Sequence, residues 1–103
     1  MTLAEFAQAL SKLGYPVAYS HFNSAVEPPF MVYLNPSDNS FGADNKVLHR
    51  TKNINVEVYT RKKDLALEQK LESFFNEKNL YFESDETWID TEKVYVRTYY
   101  ITL

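Results

Sequence analysis

Leu3, Phe6, Leu10 and Leu13 recur at helical spacing, with Ala7 widening the apolar stripe. Thr2 followed by Glu5 three residues later fits a capping box, Gly14 stands where a C′ residue is wanted, and Pro16 forbids continuation. These signals predict a helix over residues 2–13. Residues 17–22 are β-prone, with Val17, Tyr19 and His21 alternating against Ala18, Ser20 and Phe22. After Pro28 and Pro29, the run Phe30, Met31, Val32, Tyr33, Leu34 suits a strand buried on both faces. Residues 35–45, NPSDNSFGADN, are polar and turn-rich around a single Phe41, which predicts a long loop.

Over residues 46–59 the period becomes two. Ile54, Val56 and Val58 fall on one face and Asn53, Asn55 and Glu57 on the other, the pattern of a long antiparallel strand with one wet face. Arg61, Lys62 and Lys63 make a turn, and Asp64 can cap a helix in which Leu67, Leu71, Phe74 and Phe75 share a stripe; Asn79 ends it. Residues 80–103 read as a hairpin, with arms at 81–89 and 94–103 and a turn at 90–93, the first arm either continuous or broken at 84–86. In the last arm both alternation sets are large: Val94, Val96 and Tyr100 on one face, and Tyr95, Tyr99, Ile101 and Leu103 on the other. Two covered faces are implied, of which the domain's own core accounts for one.

The order αβββαββ, without internal repeat, predicts an α+β two-layer sandwich: a mainly antiparallel sheet with two helices on one face. The chain's 103 residues make one domain, residues 1–103. So short a chain buries only about 60–65% of its unfolded surface, and its eight Tyr, seven Phe and one Trp supply large apolar area per residue to offset that.

Composition narrows the chemistry. The absence of Cys excludes a disulfide framework, a thiolate zinc site and a cysteine nucleophile, and two glycines cannot write a phosphate-cradling loop. A formal net charge of −3 disfavours nucleic-acid binding by a basic face. No apolar run is long enough for a membrane helix and no signal-peptide pattern opens the chain, so a soluble, intracellular location is expected. His21 and His49 sit in different predicted strands with no carboxylate at ligand spacing, so no metal site is expected, and Ser20 beside His21 is not a catalytic pair if both lie on a strand. The acidic series Glu83, Asp85, Glu86, Asp90 and Glu92 lacks the glycine and terminal glutamate of a calcium loop and reads as a solvated hairpin. Arg61, Lys62 and Lys63 are the only basic cluster and read as a solvated turn. No enzyme, no cofactor and no catalytic residue is expected. The tyrosines, without a basic groove to accompany them, point to a protein interface.

Several stretches together resemble a known family: LGYPVAYSHF, PPFMVYL, FGADNKV, INVEVYTRKKDLALEQKLESFF and YFESDETWIDTEKVYVRTYYI. The most telling pieces are Ala43-Asp44-Asn45, Glu57-Val58-Tyr59-Thr60 with Lys63-Asp64, and Trp88-Ile89-Asp90 with Glu92 and Tyr95. They are similar to small phage and prophage tail-completion, or tail-terminator-like, proteins of Gram-positive bacteria, and the likeness covers nearly the whole chain. None of the pieces is a catalytic motif.

The resemblance implies a structural virion protein at the head–tail junction, a homo-oligomeric, six-fold ring that meets the tail tube and head-completion proteins. Its place would be the virion tail, or the host cytoplasm during assembly. A compact chain of this length has a radius of gyration of about 13 Å, and six such bodies leave a hole wide enough for DNA to pass. Six copies at −3 each carry −18 together, which would repel passing DNA and not hold it. The residues expected at subunit or partner contacts are Phe41, Asp44, Asn45, Tyr59, Tyr95 and Tyr99. The alternative is a small non-enzymatic phage-encoded binding module that regulates a protein partner through the same aromatic surface.

Overall fold

Local signals set the element ends. Thr2 Oγ1 accepts from the Glu5 amide at 3.1 Å while Glu5 Oε1 accepts from the Thr2 amide at 2.9 Å, so the capping box is complete. Gly14 takes φ +97, a backbone setting that turns the chain out of the first helix. Asp64 Oδ1 accepts from the Leu67 amide at 3.0 Å, and Asn79, at φ 56, closes the second helix. The computed structural model describes residues 1–43 and 46–103, with side chains for 1–42 and 50–103. Its elements are α1 (Leu3–Ser11), β1 (Val17–Tyr19), β2 (Phe30–Ala43), β3 (Lys46–Thr60), α2 (Leu65–Glu77), β4 (Glu83–Ile89) and β5 (Val94–Thr102).

The strands form one sheet in the order β1-β2-β3-β5-β4. Every neighbouring pair is antiparallel except β1 with β2, which run parallel from Val17↔Met31 to Tyr19↔Tyr33. Both helices cover one face. Phe6 and Leu10 of α1 and Leu67, Leu71, Phe74 and Phe75 of α2 meet Met31, Ile54, Val56, Val58, Tyr99 and Ile101 of the sheet. Each fully buried side chain of this kind stabilises the fold by about 1.5–3 kcal/mol relative to exposure. The helices also touch each other: the Phe6 and Phe74 rings lie 6.0 Å apart, and Lys70 of α2 donates to the carbonyl of Leu13 just beyond α1 at 2.7 Å. The α+β sandwich with order αβββαββ is thus the observed fold. No helix among the described residues is long and apolar enough to cross a membrane.

Several boundaries differ from expectation. β1 ends at Tyr19, because Ser20 takes φ 67, which leaves His21 and Phe22 outside the strand. α1 ends at Ser11 with Lys12 as its cap. β4 runs unbroken through residues 84–86. The largest correction is the expected loop at 35–45: β2 continues through it to Ala43. Pro36 has no amide to donate, and the register slips there from Leu34↔Asn55 to Ser37↔Asn53, a bulge that absorbs the proline without ending the strand.

Past that bulge the sheet narrows to two strands. Lys52 and Leu103 exchange backbone hydrogen bonds at 2.8 Å, which is where β5 and its tail stop, and β1 reaches no further than Tyr33. Residues 37–43 and 46–51 therefore pair only with each other among the described residues, forming an arm that extends about 23 Å at the usual strand rise. The arm makes the molecule long, 51 × 28 × 23 Å with a radius of gyration of 15.0 Å, in place of the compact sphere expected from chain length.

Candidate interaction surface

The sheet face opposite the helices carries its own aromatic row. Phe30, Tyr59 and Val96 are cross-strand neighbours, because β2 pairs Phe30 with Tyr59 and β5 pairs Val96 with Tyr59. The Phe30 and Tyr59 rings stack at 4.8 Å and 15°, and Phe22 meets Phe30 edge-on at 5.3 Å. Phe22 reaches this face because the segment between β1 and β2 crosses over it, leaving a recess of about 250 Å³ lined by His21, Phe22, Val26, Phe30, Val32 and Tyr59. Tyr59 donates to Glu57 Oε1 at 2.8 Å; burial first, and the Glu57 carboxylate second, push its phenol well above the usual range. Val94 is 5% exposed and Val96 9%. On the second face of β5, Val94 and Val96 are thus covered by this chain's own segments, which corrects the expectation that a neighbour must cover them, whereas Tyr100 on the same face remains 41% exposed.

A second aromatic site lies at the β4–β5 hairpin. Trp88 and Tyr95 pair across the strands with ring centroids 4.7 Å apart, and Trp88 remains 43% exposed. Its Nε1 donates to Asp90 Oδ1 at 3.3 Å, and Lys93 Nζ reaches the same oxygen at 2.7 Å. The lysine, and then the indole, hold the Asp90 carboxyl below its ordinary pKa. Tyr95 pairs with Thr60 of β3, whereas Val96 pairs with Tyr59, so Tyr95 and Tyr59 point to opposite sheet faces.

Tyr99 is not at the surface at all. It is fully buried, with Phe75 at 5.4 Å and Phe82 at 5.5 Å, and its hydroxyl donates to Glu72 Oε2 at 2.7 Å. Burial, then Glu72, raise its phenol pKa strongly. It belongs to the core and leaves the set of contact residues. Phe41 is 58% exposed on the arm, opposite His49 in the backbone register. Asp44 and Asn45 lie outside the described residues. The four described members of the expected contact set therefore do not converge: Phe41, Tyr59 and Tyr95 occupy three separate places and Tyr99 lies in the core.

Sequence reasoning missed a charged cluster beneath β4. Lys63 Nζ lies 2.7 Å from Glu68 and 2.6 Å from Glu86, while Arg97 sits 3.3 Å from Glu68, 3.7 Å from Glu86 and donates to Ser84 Oγ at 2.8 Å. Arg97 Nε faces Glu68 without hydrogen-bond alignment. The signal was parity: Arg97 shares the inward register of Tyr99 and Ile101, so a cation there calls for carboxylates from α2 and β4. Lys63 is thereby occupied, and hydrogen bonds to Glu68 and then Glu86 raise its pKa. Arg61 pairs with Glu27. The basic run 61–63 is anchored to its own chain at both ends.

Around His21 the geometry corrects one detail. With β1 ended, His21 Nδ1 comes within 3.2 Å of Ser20 Oγ, so strand alternation does not separate them. Both are exposed, and no described hydrogen bond brings a carboxylate to orient the ring. Among the described residues no three His, Asp or Glu side chains are grouped to hold a metal ion. No family model matches the sequence, and no curated protein matches it either.

Proposed function

We propose that this chain is a non-enzymatic structural subunit of a phage or prophage tail, completing the tail at the head–tail junction by assembling head-to-tail into a ring. The observation that carries this reading is the distribution of exposed rings. Phe41 on the arm, and Tyr81, Trp88 and Tyr100 around β4, are 58, 80, 43 and 41% exposed. They form unlike patches at different places on the molecule, which is what a heterologous contact between identical copies requires. The resemblance to tail-completion proteins supplies the biological setting and the partners: tail tube on one side, head-completion proteins on the other. DNA would pass through the ring without sequence-specific contact, consistent with a chain of net charge −3.

The test is sedimentation of the purified 12.1 kDa chain over a wide concentration range, with electron microscopy of the heaviest species. Rings of about six copies are expected. A monomer that never assembles, alone or with a tail-tube protein, overturns the reading. The recess at Phe22, Phe30 and Tyr59 favours a second reading, a module that binds one protein partner. A stoichiometric complex without rings would select it.

A further inference from the structure

Away from the segment that carries Phe22, the sheet face opposite the helices holds a separate recess of about 320 Å³, whose lining includes Asn53, Asn55, Tyr81, Glu83, Tyr100 and Thr102. Strand register builds it. Asn55 and Glu83 both pair with Tyr100, so these three form one row across β3, β5 and β4, and Asn53 pairs with Thr102 in the next. Tyr81 stands two residues before Glu83, where β4 begins. A recess of this size lies at the lower end of ligand sites and suits one small ligand.

The two rings are tied at their tips and bare on their faces. Tyr100 donates to Asp85 Oδ2 at 3.0 Å and Tyr81 reaches Glu83 Oε1 at 3.5 Å, yet both rings are exposed and neither stacks on another described ring. Asn55 is half-buried, and its side-chain amide makes no hydrogen bond to a described residue. The recess therefore offers the two donors and the acceptor of that amide, the Thr102 hydroxyl, and the Glu83 carboxylate, which no described cation pairs.

These groups select a ligand class. Strand parity places no Lys or Arg on this face among the described side chains, whereas Glu57, Glu83 and Asp85 all stand on it, so an anion is repelled. A wholly apolar ligand would cover the Asn55 and Thr102 groups and leave them without partners. An organic cation would suit the carboxylates but gives the Asn55 amide no acceptor. What fits is a neutral molecule with an apolar face for the rings and a rim of groups that both donate and accept. A sugar ring is built that way: its C–H bonds carry the slight positive charge that the electron-rich face of a tyrosine attracts, and its hydroxyls serve amide and carboxylate alike.

We propose that this recess binds a neutral saccharide, with one sugar ring laid against Tyr81 and Tyr100 and its hydroxyls on Asn55, Glu83 and Thr102. Ring assembly does not need these residues, because Phe41 on the arm and Trp88, which register places on the other face of β4, already supply two unlike patches.

The test is titration of the isotope-labelled chain with glucose, galactose, N-acetylglucosamine and a disaccharide of each, followed through backbone amide shifts, with choline and inorganic phosphate as the rival organic cation and anion. A small ligand in so open a site is expected to bind with a Kd of ~1–10 mM. The amides of residues 53–55, 81–83 and 100–102 should move, and those of Trp88 and Tyr95 should not. Tyr81→Ala, at an exposed position, should weaken the best sugar at least ~5-fold, and Asn55→Ala at least ~3-fold, each in a variant whose amide spectrum shows the native fold. If no sugar moves the recess amides, if choline or phosphate binds there more tightly than every sugar, or if Tyr81→Ala binds as the wild type does, the proposal is overturned.

Discussion

Between Phe30 and Leu34, the ladder of β2 against β3 has helices on one side and the crossing segment with Phe22 on the other. Between Ser37 and Ala43, the same ladder continues past both. In the first half, Met31, Val56 and Val58 are almost wholly buried, and cross-strand pairing comes with apolar burial. In the second, side-chain hydrogen bonds join the strands: Asn53 Nδ2 reaches Ser37 Oγ at 2.9 Å and Asn39 Oδ1 at 3.3 Å, and Asn39 Nδ2 returns to Asn53 Oδ1 at 3.1 Å. Such exposed bonds each contribute about a kcal/mol at most, and a two-stranded ribbon alone is marginal in water. One β-ladder thus has a half stabilised by its own domain and a half whose stability awaits something outside it.

The sharpest way to break this contrast is to hollow the supported half. Phe75→Ala removes a ring that touches Phe74, Phe82 and Tyr99. The expected loss is about 3–5 kcal/mol, read as a fall in the urea midpoint at constant slope. A loss under ~1 kcal/mol would mean that the helix-backed core is not what holds the sheet.

Alkaline titration tests the two faces of that supported half together. Tyr59 and Tyr99 carry phenols whose folded pKa is raised above the unfolded value near 10, by burial first and by Glu57 and Glu72 next. The neutral phenol is favoured in the folded state, so this stability is fully present below about pH 10 and is lost as pH rises toward the folded pKa. Phenolate absorbance should therefore contain a late part in which Tyr59 and Tyr99 ionise together with unfolding. Replacing Tyr99 by Phe should leave one late phenol. A single smooth titration of all eight tyrosines would contradict the burial of both faces.

The same contrast explains what could be read from sequence. Helix caps, helix stripes and the alternation of Ile54, Val56 and Val58 were legible because burial on one face imposes a period. Residues 37–43 carry no period, since the described side chains of the arm, 37–42 and Arg50, are exposed on both faces, and Pro36, Asp38 and Gly42 are residue types common in turns. Their strand character resides in pairing with residues 46–53, a partner relation that single-strand patterns do not record. Among the candidate contacts, Tyr59 and Tyr95 were found as aromatic positions, but Tyr99 was misplaced. Period two places a residue on a face without saying what covers that face. Here α2 and Phe82 cover Tyr99, and the segment between β1 and β2 covers the opposite face near Tyr59.

The smallest expected effect is the most specific to the arm. Asn53→Ala removes the side chain that bridges Ser37 and Asn39 at the arm's root while keeping the backbone pairs with Ser37 and Thr102. Because these groups are exposed, global stability should change by no more than ~0.5 kcal/mol. Hydrogen exchange should separate the two halves more clearly. In the unassembled chain, amides of Ser40 and Arg50 should exchange through local opening that is insensitive to low urea, whereas those of Val56 and Val58 should require global unfolding. Loss of the Asn53 bridge should speed arm exchange by about 3–10-fold and leave the body unchanged. Arm amides that track global unfolding in both proteins would make β2 and β3 one cooperative unit from end to end, and the division drawn between their halves would fail.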